Sequence, residues 1–270
     1  MEKPRVLFVA QYITPFVKEC QLSNIGRRLP QGIQERGKEI RTFMPRFGNI
    51  NERRNQLHEV IRLSGMNLII NDTDHPLIIK VASIQQARMQ VYFIDNEDFF
   101  HRKYTITDKN GHFFEDNDDR TIFYSRGVLE TVKKLGWQPN LVHCHGWMSA
   151  LVPIYIKKAY KDNPLFSDVK VVYSLYDDHF SENFRSNFDK KLKLPGIGPK
   201  DLKYYKDPNY VNLSKAAIDY SDAVVVAGEH VSSELIDFAI EKKKPLLYHK
   251  EDGYIDAYNQ FYDTLLGLKK

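Results

Sequence analysis

The feature that most narrows the fold of this chain is a repeated pairing, in which a short apolar run is followed by a stretch with helical spacing. "RVLFVA" (5–10), "NLVHC" (140–144), "DVKVVYSLY" (168–176) and "DAVVVAG" (222–228) are dominated by β-formers. Such uninterrupted runs are expected of strands covered on both faces, as in a parallel sheet. After the first run, "SNIGRRLPQGIQERG" offers Ser23 or Asn24 as a helix N-cap, places Ile25, Leu29 and Ile33 on one face, and closes at Gly37. Pro30 within it is expected to kink the helix. "EIRTFMP" (39–45) reads as the next strand and completes a βαβ unit.

The alternation returns later. "WMSALVPIYIKKAY", "NLSKAAIDYS" and "HVSSELIDFAIEKK" read as helices that follow strands. "NDDRTIFYSRGVLETVKKLG" (117–136) places Ile122, Phe123, Val128, Leu129 and Val132 on one stripe, with an acidic first turn, a lysine-rich last turn and Gly136 as terminator. Between Gln56 and Asn96 the texture changes to strand candidates, "LHEVIRL", "MNLIIND", "PLIIKVAS" and "QVYFID", with few helical stretches between them. The expected fold class is therefore α/β: a doubly wound, mostly parallel Rossmann-like sheet with an antiparallel extension. The polar segment Ser181–Asp207, with "LPGIGP" inside it, is expected to be a flexible loop.

At 270 residues with 42% hydrophobic content, the chain can fill one large core or two small ones. Its 39 basic and 35 acidic residues are mixed along the chain and leave a formal charge of only +4, which argues against a nucleic-acid partner. The N-terminal apolar run, Val6–Ala10, is too short for a signal h-region, and no later stretch approaches a membrane span. Cys20 and Cys144 lie far apart and show no pairing pattern, so a cytoplasmic protein with no membrane partner is expected. The Asn212-Leu213-Ser214 sequon is then accidental.

The richest chemistry lies in "NLVHCHGWMSALVP" (140–153). Side chains alternate along a strand, so His143 and His145 share one face and Cys144 takes the other. The three residues therefore cannot all ligate one ion, no further ligands stand nearby at suitable spacing, and no metal is expected. Cys144 has no base on its own face and reads as a small core residue. His145 ends a parallel strand, followed by Gly146 and a helix start, which is where open α/β sheets bind ligands. The alternative is an imidazole bonded to a loop carbonyl. Lys18, in the loop after the first strand and just before a helix, suits a phosphate or is merely solvated. No Walker loop and no G-x-G-x-x-G follows any strand.

Taken in order, these blocks resemble the bacterial glycogen synthase and plant starch synthase family. "RVLFVAQYITPFVKECQLSNIGRRLPQGIQERGKEIRTFMPRFG" is similar to that family's opening strand, its "PF-K-T-G-G-L-A-D-V" loop and its "LP-L--RGH-V" helix. "VYFIDNEDFFHR", "EDNDDRTIFYSRGVLETVKKLGWQPNLVHCHGWMSALVP", "KVVYSLYDD" and "KAAIDYSDAVVVAGEHVSSEL" continue the likeness to about Ile240. The resemblance implies one half of a glycosyltransferase in which two Rossmann domains face across a cleft, the N-terminal half holding the α-1,4-glucan acceptor. By position, it makes Lys18 the group that meets the donor diphosphate and His145 the histidine that lines the sugar site. It implies no cofactor, with ADP-glucose as the nucleotide-sugar substrate.

Some positions depart from the family pattern. K-T-G-G-L-A-D is here "KECQLSN", H-D-W is "HGW", and F-T-x-H-N is "YSLYD", which puts Tyr176 and Asp177 where His and Asn would stand. Only 30 residues follow Ile240, against the order of two hundred that a donor domain would need. Residues 1–270 are therefore expected to form a single synthase-like N-terminal domain, inactive alone. Tyr254, Ile255, Tyr258, Phe261, Tyr262, Leu265 and Leu266 make one helical stripe, so 252–268 is expected to pack back on that domain as a helix. Expected partners are an α-1,4-glucan or maltooligosaccharide, and a second copy of the chain or a separate donor domain. The alternative to a synthase half is a non-catalytic glucan-binding or protein-binding regulatory homologue, or a homodimeric scaffold.

Overall fold

The computed structural model describes residues 2–268. Met1, Lys269 and Lys270, part of the 1–270 unit expected above, lie outside the described residues.

The first crossover is β1 (Arg5–Ala10), α1 (Gln21–Glu35) and β2 (Glu39–Pro45), with β1 and β2 parallel from Arg5 opposite Glu39 to Val9 opposite Phe43. The strand-rich segment supplies β3 (His58–Glu59), β4 (Met66–Ile70), β5 (Thr73–Ile84) and β6 (Met89–Asp95). There follow α2 (Glu97–Phe100), α3 (Asn117–Leu135), β7 (Leu141–His145) and α4 (Val152–Ile154). The last part holds β8 (Lys170–Leu175), α5 (Phe188–Lys191), α6 (Tyr210–Tyr220), β9 (Ala223–Val226), α7 (Ser233–Glu241), β10 (Leu246–Tyr248) and α8 (Tyr254–Leu265).

The sheet order is β10-β9-β8-β7-β1-β2-β6-β5-β3, with β4 paired to β5. Every pairing from β10 to β6 is parallel, and those of β3, β4 and β6 with β5 are antiparallel. The doubly wound Rossmann-like sheet with an antiparallel extension is thus the observed fold, and the direction changes at β6. Along β1, Leu7 and Val9 enter the larger core cluster while Val6 and Phe8 enter the smaller one, as the period of two requires. Helices α3 and α6 cover the first face and α1 and α8 the second.

Local expectations fail in four places, each for a physical reason. The N-cap of α1 is Cys20, whose Sγ accepts from Ser23 N–H while Ser23 Oγ accepts from Cys20 N–H, a reciprocal capping box. Helix α1 runs unbroken through Pro30, and Gly26 stands four residues earlier, where a proline ring crowds the helix backbone. "WMSALVPIYIKKAY" is not one α-helix but a 3₁₀ turn at Trp147–Ser149, the short α4, and a π-type turn at Tyr155–Ala159. Ser181–Asp207 is no loose loop, because Phe184, Phe188, Leu192, Leu202 and Tyr205 are all buried.

Helix α8 lies against α1. Tyr258 and Tyr262 are fully buried, and Ile255 packs so closely on Gly32 that a Cβ there would stand 2.4 Å from Ile255 Cγ2. Polar ties flank this contact: Lys38 Nζ reaches Asn259 Oδ1 at 2.6 Å and Asp263 Oδ1 at 2.7 Å, and Arg36 Nε reaches Asp256 Oδ1 at 2.6 Å. Each fully buried aromatic contributes roughly 3 kcal/mol or more against truncation, of a net stability of about 5–15 kcal/mol. A chain ending at Lys250 will therefore unfold at a markedly lower temperature than the full chain, or fail to fold. An unchanged thermal midpoint at equal concentration would show that α8 contributes nothing to this core.

Candidate functional site

The carboxyl ends of β1, β7, β8 and β9 form one edge, and the loops leaving them build the site. Ala10 pairs with His145, and the next residue, Gln11, donates its N–H to His145 O at 3.0 Å. Gln11 Oε1 accepts from Met148 N–H at 3.2 Å, which bends the β7 exit over the β1 exit. Gly146, between them, has φ +83°, and a Cβ there would lie 2.8 Å from Gln11 Oε1. The residue after this β7 histidine is glycine for that reason: a left-handed backbone and a close amide both exclude a side chain.

As the alternation implies, the rings of His143 and His145 lie together, centroids 3.9 Å apart, on the Phe8 side of the sheet, while Cys144 is in the opposite core. His143 uses both nitrogens, Nδ1 with Tyr262 Oη at 2.5 Å and Nε2 with Ser174 Oγ at 2.7 Å. His145 Nδ1 meets Tyr176 Oη at 2.7 Å. Burial holds the His145 imidazole down at a pKa of about 3, and burial with the neighbouring ring pushes His143 well below the usual range, so both are neutral. Burial also raises the Cys144 thiol far above its ordinary range, as for an inert core thiol.

The two residues singled out by resemblance are not brought together. His145 has no exposed surface and lies one layer behind Tyr176. Lys18 is exposed, and its carbonyl accepts from Ser23 Oγ–H at 3.1 Å, which makes its backbone part of the α1 cap.

A cleft of about 400 Å³ opens at this edge, lined by Gln11, Tyr12, Cys20, Gln21, Trp147 and Asp178 among others. Its rim is held from several elements. The fully buried Arg120 guanidinium donates to Phe99 O, Asn117 Oδ1 and Thr105 O, fixing the segment that also carries Ile106, another lining residue. Burial lowers the Arg120 pKa to about 10, and the charge remains. Gln21 Nε2 donates to Ala227 O at 2.9 Å, tying α1 to the β9 exit. Asp177 accepts from Glu229 N–H at 3.0 Å and His230 N–H at 2.9 Å, and a Cβ on Gly228 would meet it at 2.4 Å. Asp178 accepts from Trp147 N–H and Tyr210 Oη–H, each at 3.0 Å. Gln11, Cys20 and Asp178 were not reached from the sequence, since nothing in the spacing of "AQY", "KEC" or "YDD" shows which loops meet.

A mostly parallel sheet with its cleft at the carboxyl edge is the form of a Rossmann-like, ligand-binding α/β domain. The chain belongs to the family described as the starch synthase catalytic domain, which matches residues 5–245. It is 33% identical over 233 residues to a glycogen synthase of Chlorobium limicola, covering 86% of this chain and 47% of that one. Likeness to a glycogen synthase of Chlorobaculum tepidum is 34% over 235 residues, with the same coverage. The chain thus spans about half the length of the curated relatives it matches. In fold it superposes with a TM-score of 0.72 on the catalytic domain of starch synthase IV from Arabidopsis thaliana, a structure bound to ADP and acarbose. That superposition covers 92% of this chain and 51% of the other, at 17% identity.

Asp178 gives the site a pH dependence. Burial is the largest influence on its carboxyl and raises the pKa to about 6, against about 3.9 for an unfolded chain. Stability from the protonated form is complete below about pH 4 and is lost as pH rises through 6. Asp178→Asn removes this titration, so relative to the variant, wild-type stability will fall by about 1–2 kcal/mol between pH 4.5 and pH 7. Parallel stability curves for the two proteins across that range would refute the assignment.

Proposed function

We propose that this chain supplies the acceptor-side domain of an α-1,4-glucan glucosyltransferase of the glycogen synthase type, with ADP-glucose as donor in the assembled enzyme. One observation carries this reading: the family match at residues 5–245 runs through the β1 and β7 exits that build the cleft. The names of the relatives, glycogen synthases and a starch synthase, support the substrate class. The donor side then comes from a further domain or a partner chain, because retaining transfer needs the sugar enclosed away from water. Cytoplasmic placement fits two unpaired cysteines and the absence, among the described residues, of a helix long and apolar enough to cross a membrane.

By resemblance His145 lines the sugar site and Lys18 meets the diphosphate. Here His145 is buried behind Tyr176 and Lys18 is not among the residues lining the cleft. The His145 role therefore requires the β8 exit to move Tyr176 aside, whereas the exposed Lys18 would have to reach in from beside Cys20.

Two measurements follow. In titration calorimetry the chain will bind maltoheptaose and not cellohexaose, and failure to bind any maltooligosaccharide would remove the reading. Assayed alone, it will not transfer glucose from ADP-glucose to maltoheptaose. Turnover by the pure chain that disappears in Lys18→Ala or His145→Ala would show that the resemblance-based roles operate without a second domain.

A further inference from the structure

The walls of the cleft are more selective than the family reading requires. Gln11 is fully buried and holds Met148 N–H with its Oε1, while its Nε2 approaches the Tyr12 hydroxyl, itself in the cleft lining, without closing a well-formed hydrogen bond among the described residues. Trp147, also in the wall and fully buried, has an indole N–H with no hydrogen-bond partner among the described residues. A buried donor without an acceptor costs about 1–3 kcal/mol, and a ligand oxygen relieves that cost. Across the cleft, Asp178 and Asp177 supply carboxylate acceptors, and Tyr12, Trp147 and Tyr176 supply aromatic surface.

Much of the main-chain donor set that could greet an anion is already occupied, and the two free donors of the wall, Gln11 Nε2 and Trp147 Nε1, carry no charge. Helix α1 begins with the Cys20–Ser23 capping box, so its first free amides are partly satisfied from within. The amides of Glu229 and His230 bind the Asp177 carboxylate. Gln21, at the mouth, has turned its amide to Ala227 O. No lysine or arginine is among the residues that line the cleft, while two aspartates are. A nucleoside diphosphate brought here meets two carboxylates, with His179 the one lining residue able to carry positive charge and the Arg120 guanidinium held behind the rim by its three acceptors.

We infer that this cleft is a site for a neutral, hydroxyl-rich ring, one or two pyranose units of a glucan, that Gln11 and Asp178 read its hydroxyls, and that it excludes nucleoside diphosphates. The inference rests on the glucan reading above and goes further, since it names the residues that select the ligand and the ligand class they reject. Gln11 donates to a sugar oxygen and Asp178 accepts from a sugar hydroxyl. The volume, about 400 Å³, lies at the small end of the range for small-molecule sites, roughly 300–1,000 Å³.

The test is titration calorimetry of the full chain with maltotriose, ADP and pyrophosphate, in wild type, Gln11→Glu and Asp178→Asn. Gln11→Glu keeps the oxygen that holds Met148 and replaces the free donor with an acceptor. Maltotriose is expected to bind wild type and to lose about tenfold or more in affinity in Gln11→Glu. ADP and pyrophosphate are expected to give no heat at millimolar concentration. ADP binding that weakens in Gln11→Glu would overturn the inference and leave the glucan reading standing. So would maltotriose binding unchanged in both folded variants, which would place the glucan elsewhere. Absence of binding by maltotriose and maltoheptaose alike would instead remove the glucan reading itself. If Gln11→Glu does not fold, Asp178→Asn with the wild-type ADP titration decides the matter.

Discussion

Once helices cover both faces of a parallel sheet, the main-chain groups at its carboxyl edge lose water and must find partners inside the protein. That requirement organises the site. Tyr124, reaching up from α3, donates its hydroxyl to Ala10 O at 2.8 Å, the last carbonyl of β1. Gln11, Gln21, Asp177 and Asp178 do the same work one layer further out, each binding a backbone group of a neighbouring loop. Because an unpaired buried amide or carbonyl is costly, these side chains are fixed by the fold before any ligand arrives. The cleft therefore has preset walls, and its polarity follows from which donors and acceptors remain after the edge has been satisfied.

The histidine pair shows the same constraint in the core. A buried imidazole is tolerable when neutral and hydrogen-bonded; hydroxyls hold His143 at both nitrogens and His145 at Nδ1, while the buried His145 Nε2 has no partner among the described residues. The three contacts come from β8 (Ser174), its exit (Tyr176) and α8 (Tyr262). Helix α8 is thus joined to β8 through a single ring, His143. The strand end that carries His145 is continuous with that ring, so the packing of the terminal helix and the geometry of the cleft are mechanically connected.

Much of the architecture was legible in the sequence because it depends on period alone. The alternation of strand and helix, the opposite faces of His143 and Cys144, and the antiparallel texture after Gln56 are all repeats of two or 3.6 residues. The family was legible on other grounds, the likeness of ordered residue blocks such as "PFVKECQLSN" and "LVHCHGW" to that family's motifs. What depends on sequence-distant contact could not be read. Cysteine is not a favoured N-cap, so Cys20 gave no signal and Ser23 drew attention as cap when it is the reciprocal N3 residue. The three-residue β10 is too short to stand out from "KKKPLLYHK". The polar segment 181–207 concealed its aromatic anchors, because their spacing follows no single element. Gln11 and Asp178 matter only because separate strand exits meet.

Gly146 and Gln11 form a locked pair, and this limits the order in which the sequence can change. A side chain at 146 collides with the Gln11 amide and is strained by the positive φ. Shortening Gln11 first removes the acceptor of Met148 N–H. Each single step away from the present pair is thus unfavourable even where the double change would be acceptable. The two positions are coupled: a carboxylate after His145 fits only together with a smaller side chain at position 11 and a relaxed β7 exit.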